Sequence, residues 1–306
     1  MQKLIKNPLV SVIMPVYNGS FFVTEAIESI LAQTYKPLEF IIVDDCSRDS
    51  TPGILEQYKK RFPEALRVIS LKKNLGGAGS AAVNAVLHKA KGKFIARMDS
   101  DDIAHPQKIE LQVKYMLAHP EVIVLGTQAD VINGENEIVG KKNFPLTHKK
   151  IYESFAVVNP MLHPSCMFRR ALLPSKDKLY ENKFEPNDDY YTFFKFLNYG
   201  KFANLPQPLF YYRVHGNNIS LQNPKSKFQN SLMIRKLAIN TLGYVPTNRG
   251  KILTFAQRVL ISILPEKIIV PLYMLFRGML SPINLLPRTK ISLPTFTSEK
   301  VLVYEA

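Results

Sequence analysis

What most constrains this chain is a series of short apolar runs, rich in β-branched residues, that each stop at a polar or acidic turn. Leu9–Met14 ends at Pro15-Val16-Tyr17-Asn18-Gly19, and Glu39–Val43 ends at Asp44-Asp45-Cys46-Ser47. Leu66–Leu71 runs into Asn74-Leu75-Gly76-Gly77-Ala78-Gly79, and Lys93–Met98 into Asp99-Ser100-Asp101-Asp102. Between them the apolar residues take helical spacing: Phe22, Ala26, Ile27, Ile30 and Leu31 behind a cap at Ser20, then Ile54, Leu55 and Tyr58, then an Ala-rich stretch to Lys91. Strands alternating with helices fold by right-handed crossovers into a mainly parallel sheet covered on both faces. Ligands of such sheets sit beyond the carboxyl ends of the strands, and all the unusual residues here fall on that edge.

The acidic turn after the fourth run has two readings. Aspartates in a D-x-D pair hold a hard divalent cation, Mg²⁺ or Mn²⁺, and leave coordination positions for phosphate oxygens. The plainer reading is a solvated turn that caps the next helix, since Asp favours both places. Its position beside the other strand ends favours the site, with Asp102 left as the helix cap.

Beyond the fourth strand, Pro106 opens a helix that ends near Pro120, and Val122–Leu125 is a fifth strand. Val131–Val139 reads as a hairpin turning at Asn133-Gly134. His148–Phe155 is helical, His163–Phe168 a strand, Asn187 onward an aromatic-rich helix, and Leu209–Val214 a strand entering His215-Gly216-Asn217-Asn218. From Lys225 the chain is helical. Val259–Pro287 is apolar but is broken by Pro265, Glu266, Lys267, Pro271 and Arg277, so it falls short of the roughly 20 uninterrupted residues of a membrane span.

Charge separates this tail from the rest. The 306 residues carry a net +15, of which the segment 221–306, with twelve Lys/Arg and three Glu, contributes 12 − 3 = +9. A basic, apolar-rich extension suits an anionic membrane surface, ordinary helices packed on the main domain are an equal reading of the pattern, and the tail lacks a nucleic-acid recognition motif. The two cysteines, Cys46 and Cys166, form neither a ligand cluster nor a disulfide framework, which fits a reducing compartment. The polar, basic start before a strand broken by Pro15 does not read as a signal peptide.

Gly77-x-Gly79-x-x-Ala82 imitates a dinucleotide-binding fingerprint. It lies in the third strand–helix unit, is separated from its strand by Lys72-Lys73-Asn74, and is followed by three acids where a ribose needs one. A dehydrogenase is therefore disfavoured.

The ordered set of segments resembles glycosyltransferase family 2. Its carriers are Ser11-Val12-Ile13-Met14-Pro15-Val16-Tyr17-Asn18, Ile42-Val43-Asp44-Asp45-Cys46-Ser47, Asn74-Leu75-Gly76-Gly77, Arg97-Met98-Asp99-Ser100-Asp101-Asp102 and Asp188-Asp189-Tyr190. His163-Pro164-Ser165 and Tyr212-Arg213-Val214-His215 also look like segments of bacterial members. The resemblance spans roughly residues 8 to 220. It implies a GT-A fold, an α/β architecture, and inverting, metal-dependent transfer from a nucleoside-diphosphate sugar, a UDP-sugar first, to a hydroxyl of a glycan or lipid-linked acceptor in bacterial surface-polysaccharide assembly.

By the same resemblance Pro15, Tyr17, Asp44 and Asp45 line the nucleotide pocket, with Gly76, Gly77, Asp99 and Ser100 also on the donor. Asp99 and Asp101 hold Mn²⁺ or Mg²⁺, and His215 reaches the metal or the diphosphate; His163 lies on the acceptor side or is a satisfied structural histidine, and Asp188 lies on the acceptor side or caps its helix. Asp189 is the catalytic base. Val83, before Asn84, stands where relatives often carry Arg, and Lys195 replaces the usual Arg of the catalytic helix. The expected layout is a nucleotide-sugar half, 1–125, an acceptor half of the same domain, 126–220, and a basic helical extension, 221–306. The expected place is the cytoplasm, at the inner face of the cell membrane. An inactive nucleotide-sugar-binding or scaffold subunit is the rival reading, and the retained Asp101 and Asp189 weigh against it.

Overall fold

The computed structural model describes residues 7–216, 223–265 and 268–269. The parallel half of the sheet holds β1 (Val10–Val16), β2 (Leu38–Asp44), β3 (Leu66–Ser70) and β4 (Phe94–Arg97). The second half adds β5 (Ile103–Ala104), β6 (Val122–Ile132), β7 (Ile138–Lys142), β8 (Met167–Arg169) and β9 (Lys201–Arg213). The order is β3-β2-β1-β4-β8-β6-β9-β5, with β7 paired to β6. β1 to β4 are mutually parallel where they pair; β8 runs antiparallel to β4 and β6, and β9 returns parallel to β6. The expected α/β architecture, a sheet with a parallel half and apolar helices on both faces, is what forms.

Alternate strand residues feed two apolar layers, as the period of two requires. Val10, Val12 and Met14 join α1 (Val23–Leu31), α2 (Thr51–Arg61) and α4 (Lys108–Ala118) on one face. Ile13, Ile41 and Val43 join α3 (Ser80–Val86), α5 (His148–Ser154), α6 (Asp188–Phe196) and α7 (Pro224–Thr241) on the other. In α6, Tyr190, Phe193, Phe194 and Phe196 are all buried, each contributing about 1.5–3 kcal/mol by leaving water. That anchorage fixes the start of α6, where Asp189 sits.

Several expected boundaries move, each for a local reason. α1 starts at Val23 rather than at a Ser20 cap: Gly19 O takes the N–H groups of Phe22 and Val23, and Ser20 N donates to Asp49 Oδ2 at 3.1 Å. α3 ends at Val86 and closes with a 3₁₀ turn over Leu87–Lys89. His163–Ser165 is a 3₁₀ turn, not strand; only Met167–Arg169 pairs. β6 passes through Gly126 because the side chain of Asn204 occupies the space where a Cβ would stand. It therefore crosses the expected division at 125/126, and one sheet serves both halves. β9 is longer than Leu209–Val214 because Pro206 and Pro208 fall where its register with β6 shifts, between Thr127 and Gln128.

α7 and α8 (Asn248–Ile263) form the described part of the basic extension. Among the described residues no helix is long and apolar enough to cross a membrane. The expectations for Asn217-Asn218 and for 270–306 lie outside the described residues.

Candidate active site

The parallel register delivers all four polar turns to one edge. Val16 stands beside Asp44, and Ile13 beside Arg97, so Asp44, Asp45 and the acidic turn emerge around the end of β1. Pro15, Asp44 and Asp45 are buried, and Tyr17 stands out at 48% exposure above them.

Asp45 organises the glycine loop. Its Oδ1 accepts from Leu75 N at 2.9 Å, its N–H donates to Val16 O at 2.8 Å, and its carbonyl accepts from Asn74 Nδ2 at 3.1 Å. Burial raises its carboxyl above the ordinary value, and the Leu75 and Gly76 N–H groups oppose that. Asp44 Oδ1 accepts from Ser47 N at 3.0 Å, holding the turn after β2. Gly76 and Gly79 take positive φ values of 68° and 82°. A Cβ at Gly79 would lie 2.6 Å from Pro15 Cγ and 3.2 Å from an Arg97 guanidinium nitrogen, so the loop closes against both. Ser100 approaches the turn after β1, with its hydroxyl 3.4 Å from the position of a Cβ on Gly19.

Asp99, Asp101 and Asp102 offer carboxylate oxygens within 4.8 Å of one another. Asp99 pairs with the buried Arg97 at 2.7 Å, and Asp101 Oδ2 lies 3.0 Å from His215 Nε2. Asp102 is not a helix cap. It is buried, α4 begins six residues later, and its Oδ1 accepts from Arg213 N at 2.8 Å. Its Oδ2 is buried without a hydrogen-bond partner. Burial, then the neighbouring Asp101 and Asp99, push the Asp102 carboxyl well above its ordinary value. Burial also raises Asp99, against the pull of Arg97. Crowded carboxylates and an unused buried oxygen are the donor set of a hard cation, so the residues present fit Mg²⁺ or Mn²⁺.

Two buried cations frame this turn. Lys108 Nζ reaches Arg97 O at 3.4 Å, and burial lowers its pKa to about 8. Arg213 is fully buried; Nε donates to Asp101 O at 2.8 Å, Nη1 to Asn133 O at 3.1 Å and Asn136 Oδ1 at 2.6 Å, and Nη2 to Glu25. Phe22 covers its guanidinium at 4.4 Å.

On α6, Asp189 Oδ2 accepts from Asn159 Nδ2 at 2.8 Å and Oδ1 from Tyr190 N at 2.8 Å. Asp188 faces the chain instead: it is buried and its Oδ1 accepts from Lys183 N and Phe184 N at 3.0 and 2.8 Å. His163 Nε2 lies 2.6 Å from the Tyr180 hydroxyl, and burial, aided by Arg97, holds its pKa well below the usual value. Tyr180 is within electrostatic reach of Arg97, Asp99 and Asp189, so α6 and the acidic turn share one neighbourhood. Val83 is buried in the core and Asn84 clasps the 179–182 loop, its Oδ1 accepting from Leu179 N at 2.8 Å. Lys195 pairs with Glu181 at 2.7 Å.

Arg97, Asn159, Tyr180 and Arg213 have no assigned role in the sequence reading. Arg97 and Arg213 lie inside the quoted segments, and a single cation within an otherwise apolar run is the signal that was available. Asn159 and Tyr180 carry no pattern of their own.

The family model of glycosyl transferase family 2 matches residues 11–174, more than half of the chain. The chain belongs to this family. A family relative, an uncharacterized glycosyltransferase of Haemophilus influenzae, is 38% identical over 223 residues, covering 70% of this chain and 68% of its own. The O-antigen biosynthesis glycosyltransferase WbnJ of Escherichia coli is 31% identical over 216 residues, covering 69% and 81%. Among solved structures, S. aureus TarS 1-349 in complex with UDP-GlcNAc has a TM-score of 0.58 and 25% identity, covering 74% of this chain and 66% of that one. This family 2 protein is therefore a glycosyltransferase with a GT-A fold and relatives in polysaccharide biosynthesis.

Proposed function

We propose that the protein moves a sugar, with inversion at its anomeric carbon, from a nucleoside-diphosphate sugar to a hydroxyl of a glycan or lipid-linked acceptor. A UDP-sugar is the first choice of donor, in line with the UDP-GlcNAc named for TarS. Surface-polysaccharide assembly is the setting, in line with the O-antigen role named for WbnJ. The observation that carries the reading is the three-carboxylate cluster at the end of β4 beside the Asp45 loop, with a separate carboxylate, Asp189, on α6.

The base packs over Pro15 and Tyr17, with Asp45 accepting from a base N–H; a carboxylate has about four acceptor positions, and Leu75 and Gly76 use two of them. Asp44, Gly76, Gly77 and Ser100 line the rest of the donor pocket. Asp99, Asp101 and His215 would hold the cation, which when bound would supply positive charge to neutralise the diphosphate as it leaves. Asp189 takes the proton of the acceptor hydroxyl as that oxygen bonds to C1 and the bond from C1 to the phosphate oxygen breaks. Asn159 keeps the Asp189 carboxylate oriented by donating to one oxygen. His163, neutral and tied to Tyr180, borders the acceptor, and Asp188 fixes the 183–184 turn that leads into α6. The protein works at the cytoplasmic face of the membrane as a peripheral enzyme.

Donor hydrolysis across a panel of nucleotide sugars, with and without Mn²⁺, tests this. One or two UDP-sugars turned over only with the cation is the expected result; metal-independent turnover, or nucleotide binding without any turnover, contradicts it.

A further inference from the structure

Residues 223–265 contain seven Lys/Arg and no Asp or Glu. They build α7 and α8, and α8 is held to the domain along one narrow face. Its first turn is capped by Thr247, whose side chain accepts from Gly250 N at 3.1 Å, and Gly250 sits so close to Ala156 that a Cβ would come within 2.7 Å of it. Thr254 Oγ1 donates to Ala156 O at 2.6 Å, and Gln257 Oε1 accepts from Arg235 at 3.2 Å. The opposite side carries Ile252, Phe255, Val259 and Ile263, an i, i+3, i+7, i+11 stripe, with Ile252, Phe255 and Ile263 exposed at 68%, 69% and 72%. Among the described residues nothing covers that stripe. Beside it runs an open groove of about 840 Å³ between α7 and α8, bordered by Lys225, Lys236, Lys251 and Arg258.

We infer that the α8 stripe and its bordering lysines and arginine form the face by which this protein docks onto an anionic phospholipid surface, lying in the interface without crossing it. Charge selects this occupant. A second copy would bring two surfaces of the same sign together, and residues 270–306, with four Lys/Arg and two Glu, add more positive charge. An anionic bilayer supplies both complements: an acyl boundary for the apolar stripe and headgroup phosphates for its cationic margin. The face is coupled to the site through α7. Asn187 Nδ2 donates to Ser231 Oγ at 3.0 Å and Asn230 Nδ2 to Glu185 O at 3.2 Å, so α7 braces the loop leading into Asp189.

The inference deepens the peripheral-membrane part of the proposed function and does not depend on the transfer chemistry. Flotation of the full chain with phosphatidylglycerol/phosphatidylcholine vesicles, against pure phosphatidylcholine, tests it. Binding is expected to the anionic vesicles and to fall with salt. Phe255→Ser combined with Ile263→Ser lowers partitioning roughly tenfold or more, and Lys251→Glu with Arg258→Glu roughly fivefold for each cation lost. Thermal unfolding and UDP binding stay as in the unsubstituted protein, because these side chains touch neither core nor site. Equal vesicle binding by all variants overturns the inference. So does a dimer that the serine variant dissociates, which assigns the stripe to a second copy. A fall in unfolding temperature in that variant with vesicle binding intact assigns it to the chain's own remaining residues. An unsubstituted full chain that binds the anionic vesicles but transfers no sugar counts against the transfer chemistry alone.

Discussion

The Arg213 side chain donates from Nε to the main-chain carbonyl of Asp101 at 2.8 Å, at the centre of the acidic turn. One residue at the end of β9 thus sets the path of a turn 112 positions earlier in the chain. Its own N–H holds Asp102, and its remaining donors tie in the 133–136 turn and Glu25 of α1. A lysine there supplies one point charge in place of a planar fork. Arg213→Lys is expected to destabilise the fold by about 3 kcal/mol, and to weaken Mn²⁺-dependent UDP binding roughly tenfold in the fraction that stays folded. Urea unfolding and calorimetric titration measure the two effects. Unchanged metal-dependent binding contradicts a positioning role.

Gly79→Ala tests the closure of the glycine loop. The φ of 82° and the 2.6 Å approach to Pro15 leave no room for a methyl group. A loss of about 1–3 kcal/mol in stability and weaker nucleotide binding are expected, because the loop must move away from both Pro15 and Arg97. Gly53 is the control: its Cβ would meet nothing within 4 Å, so Gly53→Ala is expected to cause no loss.

His163 gives the pH response a sign. Burial, then Arg97, lowers its pKa well below the unfolded value of about 6.5. The unfolded chain therefore binds the extra proton first, and stability is present above about pH 6.5 and is lost as pH falls toward the folded value. His163→Gln is expected to flatten the stability curve between about pH 7 and 5. An equally steep fall in the variant assigns the response to other groups.

The strand ends were legible because a β-branched run stopping at aspartate is a local pattern, and register then brings those ends together. Position along the chain hid the rest. Asp102 reads as a cap until Arg213, 111 residues away, is seen to donate to it. The strand expected from Leu209 begins earlier, at Lys201, because a sequence does not display the register shift that accommodates Pro206 and Pro208. Pro164 supports a 3₁₀ turn as readily as an extended segment, its φ suiting both. Asn159 and Asp189 meet only through the packing of α6 against the segment after α5.

The division of labour between Asp101 and Asp189 is the central claim, and paired measurements on Asp101→Asn and Asp189→Asn test it most directly. Transfer rate and Mn²⁺-dependent UDP binding are measured for both variants. Both are expected to lose transfer by about a thousandfold or more, with only Asp101→Asn losing metal-dependent nucleotide binding. Transfer at the normal rate by Asp189→Asn, or nucleotide binding by Asp101→Asn that still responds fully to Mn²⁺, would contradict it.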